Sequence, residues 1–212
     1  MKYKGVIFDL DGVICFTDEY HYKAWKSLAD RLGIYFDREI NNRLRGVSRM
    51  ASLEIILERS TVKYSAEEKE RFATEKNELY REMLKNMIPA DLSEEVRDTL
   101  LELRKRGYLL AIGSSSRNTK TILKQIGLGD FFDAISDGTN ITNSKPDPEV
   151  FLKAAEFIKL RPAECVVVED AESGAEAAYR GGFSCAGIGE AAAYKYTNYP
   201  LNTFKDLLEV LK

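Results

Sequence analysis

Two aspartates separated by one leucine, Asp9 and Asp11, close the apolar run in "KGVIFDLDGVI". In an extended chain alternate side chains share a face, so both carboxylates emerge together at a strand tip. Two like charges about 4 Å apart repel by roughly 4 kcal/mol at an effective dielectric of about 20, so a proton, a cation or a lysine has to compensate them. Each of those answers implies chemistry. Other polar groups follow apolar runs in the same way. "YLLAIGS" leads into Ser114, Ser115 and Ser116 with Asn118 after them, "SKPDPEVF" presents Lys145, and "CVVVED" ends in Glu169 and Asp170. Taken singly, a serine cluster is a helix cap and a lysine before a proline-initiated helix is solvated. Two acids at the end of a run of valines are harder to account for, because a buried strand seldom finishes in charge unless the charge binds something.

Brought to one edge, these residues make a metal and phosphate site. The acids suit a hard cation such as Mg²⁺, which prefers oxygen ligands and bridges carboxylate to substrate phosphate. Lys145 would neutralise a transferring phosphoryl group and Ser114 would hold its oxygens. An aspartate can itself be phosphorylated, which splits one transfer into two steps, and a second acid two residues later is placed to move protons to and from the hydroxyl that leaves or attacks.

The elements that must bring them together are legible as well. Short apolar runs at "GVIFDL", "YLLAIGS", "DAIS", "CVVVED" and "FSCAGIG" have the continuous character of strands buried on both faces. Amphipathic stretches separate them, such as 94–106, which ends at Gly107, and 117–126, which ends before Gly127. Strand alternating with helix predicts an α/β doubly wound parallel sheet, whose ligands bind at the carboxyl ends of the strands. About a hundred residues lie between the first two strand runs, and 16–87 shows helical pattern throughout. A crossover needs far fewer, so this stretch is expected to be an inserted helical domain hanging over the site, hinged near Gly12–Thr17 and near Asn86–Asp91.

Composition narrows the partners. The 212 residues carry 44% hydrophobic and 31% charged side chains and a net charge of −3, an ordinary globular balance with no basic field for nucleic acid. A small molecule is the expected partner of a monomer. Cys15, Cys165 and Cys185 are scattered and odd in number, so neither a disulfide framework nor a zinc site is expected. No apolar stretch has the length of a secretory signal or a membrane span, which makes the cytoplasm the default location.

"DLDGV", "GSSS", "SKPDP" and "VVEDAESG" resemble, in order and spacing, the four signature motifs of the haloacid dehalogenase superfamily of phosphotransferases. The resemblance implies a Rossmann-like core at 1–15 and 88–212 with a small α-helical cap at 16–87. Within the cap, "EYHYKAW" at 19–25 and "LRGVSRMASL" at 44–53 are similar to the branch that moves phosphate between hydroxyls of one hexose. That implies interconversion of β-glucose 1-phosphate and glucose 6-phosphate through an aspartyl phosphate, with glucose 1,6-bisphosphate as intermediate and activator. By the same resemblance Asp9 is the nucleophile and Asp11 the general acid and base. Mg²⁺ is held by Asp9, the Asp11 carbonyl and Asp170, with Glu169 at or beside it. Ser114 and Lys145 bind the transferring phosphoryl group, while Ser116 and Asn118, in a loop that includes Ser115, contact the other phosphate. Arg49 grips the non-reacting phosphate, His21 positions the cap loop, and Trp25, Arg45, Gly46 and Ser52 complete the substrate side.

Two positions depart from the pattern. Arg45 stands where lysine is usual, a planar fork in place of a point charge, and Ala171 where serine is common. Both bear on substrate preference more than on reaction type. A sugar-phosphate phosphatase is the second reading, and a phosphorylated receiver-like module, which would hold its phosphate without turnover, is the third. Arg49, as an anchor for a second phosphate, favours the mutase over the phosphatase, and the length and the helical insertion argue against the receiver.

Overall fold

The structure is a computed structural model that describes residues 2–44 and 47–212. Its centre is a six-stranded parallel sheet in the order β3-β2-β1-β4-β5-β6. The strands are β1 (Gly5–Phe8), β2 (Leu109–Gly113), β3 (Ala134–Ser136), β4 (Cys165–Glu169), β5 (Ser184–Gly187) and β6 (Tyr199–Pro200). The first five are the apolar runs of the sequence. The sixth is only two residues long, too short to show a pattern.

Alternation explains why those runs are continuously apolar. Val6 and Phe8 of β1, Leu110 and Ile112 of β2, and Val166 and Val168 of β4 face one apolar cluster. Ile7, Ala111 and Val167 face a second cluster on the other side of the sheet. Helices cover both faces, so the central strands β1 and β4 are buried on both sides, as a parallel sheet requires.

The first four helices after β1 form one unit: α1 (Asp18–Arg31), α2 (Arg38–Asn42), α3 (Arg49–Leu57) and α4 (Ala66–Leu84). They enclose an apolar cluster of their own that includes Trp25, Leu28, Phe36, Leu53, Ile56 and Phe72. α4 starts with a reciprocal cap, in which Ser65 accepts from the Glu68 N–H and Glu68 from the Ser65 N–H. The far end of α4 is anchored differently: Tyr80 and Leu84 belong to the cluster that also holds Val13, Ile14 and Phe8. The helical unit therefore has a separate core, while both of its connections run through the core of the sheet.

After β2 come α6 (Thr119–Gln125), α7 (Glu149–Phe157) and α8 (Glu172–Arg180), with α5 (Glu94–Lys105) preceding β2 and α9 (Leu207–Val210) ending the chain. All three cysteines are free and buried, as expected of small core residues. Among the described residues no helix is long and apolar enough to cross a membrane.

Candidate active site

Parallel register aligns the strand tips. Phe8 pairs with Val168 on one side and with Ile112 on the other, so Asp9, Glu169 and the Gly113–Ser114 corner come to one edge of the sheet. The Asp9 N–H donates to the Val168 carbonyl at 2.9 Å, which keeps the chain extended as far as the carboxylate. Together with Asp11, Lys145 and Asp170 these residues line a cleft of about 700 Å³ between the sheet edge and the helical unit.

Lys145 is the hub of the site. It is 3% exposed, and its ammonium donates to Asp9 Oδ1 and to Glu169 Oε1. It also stands 4.7 Å from the centre of the Phe151 ring. Burial works against that charge, but Asp9 and Glu169 outweigh it and hold the ammonium above the usual lysine value. The carboxylates are moved in the other direction. Burial pushes Asp9 up to about 7 against the pull of Lys145, and Glu169 and Asp11 add to the push. Burial with Glu169, Asp9 and Asp11 drives Asp170 up to about 8. One buried cation does not neutralise this group of acids.

Glu169, expected at or beside a metal, is held by the protein itself. Its Oε1 takes Lys145 and its Oε2 accepts the Ala171 N–H at 2.9 Å, so both oxygens are engaged within the protein. Space for it comes from Gly174, where a Cβ would run into the Glu169 carboxylate. Gly12 does the same for Asp170, and its positive φ of 86° suits glycine besides. Asp9, Asp11 and Asp170 line the cleft and offer it oxygen donors. These donors are too few to enclose an ion, and they fit a divalent cation such as Mg²⁺ that completes its shell with water and substrate oxygens. In keeping with this, among the described residues no three His, Cys, Asp or Glu side chains form a ready-made metal cage.

The serine loop is a turn more than a cap. Ser114 Oγ accepts from the Ser116 N–H and Ser116 Oγ from the Asn118 N–H, each at 3.2 Å. The N-cap of α6, Asn118, makes no side-chain cap of its own. Ser115 Oγ is buried without a hydrogen-bond partner among the described residues. Asn118 reaches the helical unit instead: its Nδ2 donates at 3.0 Å to Asn77 Oδ1, the atom that also accepts from Arg49 at 2.8 Å. Burial and the neighbouring Arg117 lower the Arg49 pKa, with Glu70 opposing them. Two guanidiniums thus share one end of the cleft, an arrangement an anion would relieve.

A second chain of contacts runs from the helical unit to Asp11. The Thr17 N–H and hydroxyl donate to the two Asp11 carboxylate oxygens at 2.7 and 2.9 Å. Thr17 is the N-cap of α1 but makes no cap bond with its side chain, because its hydroxyl is committed to Asp11. Tyr80 donates to Thr17 Oγ1 at 3.0 Å and stacks on His21 with ring centres 4.0 Å apart. His21 Nδ1 is 2.8 Å from Lys76 Nζ. Burial first, then Lys76 and Arg49, push the imidazole well below its ordinary pKa, so neutral His21 accepts from Lys76 through Nδ1. The lone histidine is therefore one link in a path to a candidate proton-transfer group.

Trp25 and Ser52 are buried and line the cleft, and the Lys76 ammonium is 4.6 Å from the Trp25 ring. Arg45 and Gly46 lie outside the described residues. Thr17, Lys76, Asn77, Tyr80 and Arg117 were not singled out from the sequence. Lys76 left a signal: it falls in the buried stripe Phe72, Ala73, Lys76, Tyr80, Leu84 of α4, where a charge has no place unless it is used.

Burial, with Arg49 adding to it, depresses the Lys76 pKa well below 10.5. The unfolded chain then binds the extra proton between the folded value and 10.5, so this lysine makes the fold less stable at the lower end of that window. Lys76→Met, which keeps the stem and removes the amine, is expected to raise the melting temperature by several degrees at pH 7 and by less at pH 9.5. The same change is expected to reduce turnover, which a steady-state assay beside thermal unfolding measures.

Comparisons with known proteins identify what the chain is similar to. A family model described as haloacid dehalogenase-like hydrolase matches residues 3–182. The chain is 41% identical over 189 residues to the β-phosphoglucomutase of Bacillus subtilis (strain 168), covering 88% of this chain and 84% of that protein. It is 31% identical over 182 residues to a phosphorylated carbohydrates phosphatase of Thermotoga maritima, covering 84% and 82%. Among solved structures, a β-phosphoglucomutase from Clostridium difficile superposes with a TM-score of 0.92 at 35% identity, covering 99% of this chain and 95% of that one.

Proposed function

The chain belongs to the haloacid dehalogenase-like hydrolase family, and from that premise we propose that it is a β-phosphoglucomutase, interconverting β-glucose 1-phosphate and glucose 6-phosphate. The observation that supports the proposal is a cleft with two separate groups of residues suited to phosphate. One is at Asp9 and Lys145, and the other lies between Arg49 and Arg117 at the Asn77–Asn118 bridge. A phosphatase needs only the first, whereas a bisphosphate intermediate needs both.

Asp9 acts as the nucleophile. Its free oxygen attacks the phosphorus of a sugar bisphosphate, forming the aspartyl phosphate, as the bond from phosphorus to the sugar oxygen breaks. Asp11, oriented by Thr17, gives its proton to that departing oxygen and takes one back when the next sugar hydroxyl attacks. Lys145 and Ser114 hold the equatorial oxygens of the transferring group, and Arg49 holds the other phosphate while the intermediate turns around. Asp9, the Asp11 carbonyl and Asp170 would hold Mg²⁺, which would supply positive charge to the phosphoryl oxygens. Residues 16–87 serve as the cap that keeps water away, over a core of 1–15 and 88–212.

Phosphorus NMR on the protein with β-glucose 1-phosphate, Mg²⁺ and a trace of glucose 1,6-bisphosphate tests the reading. Glucose 6-phosphate is the expected product; inorganic phosphate as the main product would make the protein a sugar-phosphate phosphatase. Arg49→Ala is expected to lower isomerisation about 10–100-fold, the worth of a lost charge-assisted contact. Hydrolysis of p-nitrophenyl phosphate, which has no second phosphate, is expected to stay within about twofold. Equal losses in the two assays would remove Arg49 from the anchor role.

A further inference from the structure

Phe16 is the most exposed of the large hydrophobic side chains among the described residues, 73% accessible, and yet it lines the same cleft as Asp9 and Asp11. Its neighbours in sequence are both buried: Cys15 is 1% and Thr17 0% exposed. Both are also tied to the Asp11 segment, since the Gly12 N–H donates to the Cys15 carbonyl at 2.8 Å and the Thr17 N–H donates to Asp11 Oδ1 at 2.7 Å. The backbone at Phe16 is thus held at fixed register beside Asp11, and its exposed side chain is among those that line the cleft. The cleft it lines also holds charged and hydroxylic groups, among them Asp11, Asp18, Ser114, Asp170 and Glu190.

A large exposed apolar ring at the edge of such a cleft offers a contact to a ligand with an apolar surface of its own. A pyranose offers one, because its hydroxyls lie around the rim and its axial C–H groups cover the ring faces. An open-chain polyol phosphate of the same length has the hydroxyls and the phosphate but no such face. We propose that Phe16 is a specificity-determining residue that stacks on a face of the sugar ring and selects cyclic over open-chain sugar phosphates. The inference rests on the reading of the substrate as a hexose phosphate, and it concerns binding, whichever acceptor the phosphoryl group finally reaches.

Titration calorimetry of the full chain with glucose 6-phosphate and with sorbitol 6-phosphate tests it. The parent protein is expected to bind the ring compound about tenfold more tightly, an effect of the size that one aromatic contact contributes. Phe16→Ala is expected to weaken glucose 6-phosphate about tenfold, to leave sorbitol 6-phosphate within twofold, and to unfold at the parent temperature because the ring is exposed. Phe16→Trp is expected to retain the preference. Equal weakening of both ligands, no weakening of either, or a parent protein without ring preference overturns the assignment. A protein that isomerises β-glucose 1-phosphate but lacks ring preference loses only the role of Phe16. One that prefers the ring yet releases phosphate to water loses the mutase and keeps Phe16.

Discussion

Asp9→Asn is expected to lower kcat on the order of 10⁴-fold or more while leaving the protein folded. An amide cannot supply the oxygen that becomes the acyl phosphate, and the remaining groups of the site accelerate nothing without it. The fold has reason to tolerate the change. Burial, with Glu169 and Asp11, raises the Asp9 pKa to about 7 even with Lys145 attached. A carboxyl whose folded pKa lies above its unfolded value favours the folded state at low pH, and that contribution is lost as pH rises from about 4 through 7. At pH 8 the parent carries the charge at a cost; the amide does not, and Lys145 keeps Glu169 as partner. Urea unfolding at pH 8 without added metal is therefore expected to show the variant at least as stable as the parent. Steady-state turnover above about one per cent of the parent would show that the nucleophile lies elsewhere.

The second large effect is at Lys145, where activity and stability are expected to fall together. Lys145→Ala removes the cation that is bound to both Asp9 and Glu169 among the described residues, at a position 3% exposed, and strands two carboxylates in the interior. Breaking a buried pair by deleting one partner destabilises by about 3–5 kcal/mol, more than the pair itself would contribute against an apolar replacement. The sign of the pH dependence follows from the shifts. Asp9 and Glu169 raise the lysine above its ordinary value despite burial, so its contribution is complete below pH 10.5 and constant across the range of an ordinary assay. The pH dependence of the variant comes instead from Asp9, which loses the influence that was lowering its pKa. The stability deficit is expected to be largest near pH 8 and to shrink toward pH 5.5, where the carboxyl takes up its proton. Chemical denaturation at those two pH values measures it; a deficit independent of pH would mean that lost packing against Phe151 dominates.

These effects lie in residues whose positions were largely written in the sequence. Five strands were legible because a parallel sheet with helices on both faces needs unbroken apolar runs, as "CVVVE" and "GVIF" supply. A polar residue directly after such a run is at the carboxyl edge, which placed Asp9, Ser114, Glu169 and Asp170 together before any contact was known. The long helical stretch after β1 was legible from length and period alone. β6 was not, since two residues have no period.

What the sequence determined by itself is the set of strand tips and the chemistry their residue types allow, because both depend on local periodicity and on a sheet that admits one set of edges. Only the tertiary structure decided who meets whom. It gave both oxygens of Glu169 to Lys145 and the Ala171 N–H, joined Lys76 to His21 across 55 positions, committed the Thr17 hydroxyl to Asp11, and brought Asn77 of α4 to Asn118 at the sheet edge. Those pairings follow from how the helical unit docks against the sheet. Docking depends on the shapes of two apolar clusters formed from distant segments, and no local pattern records it.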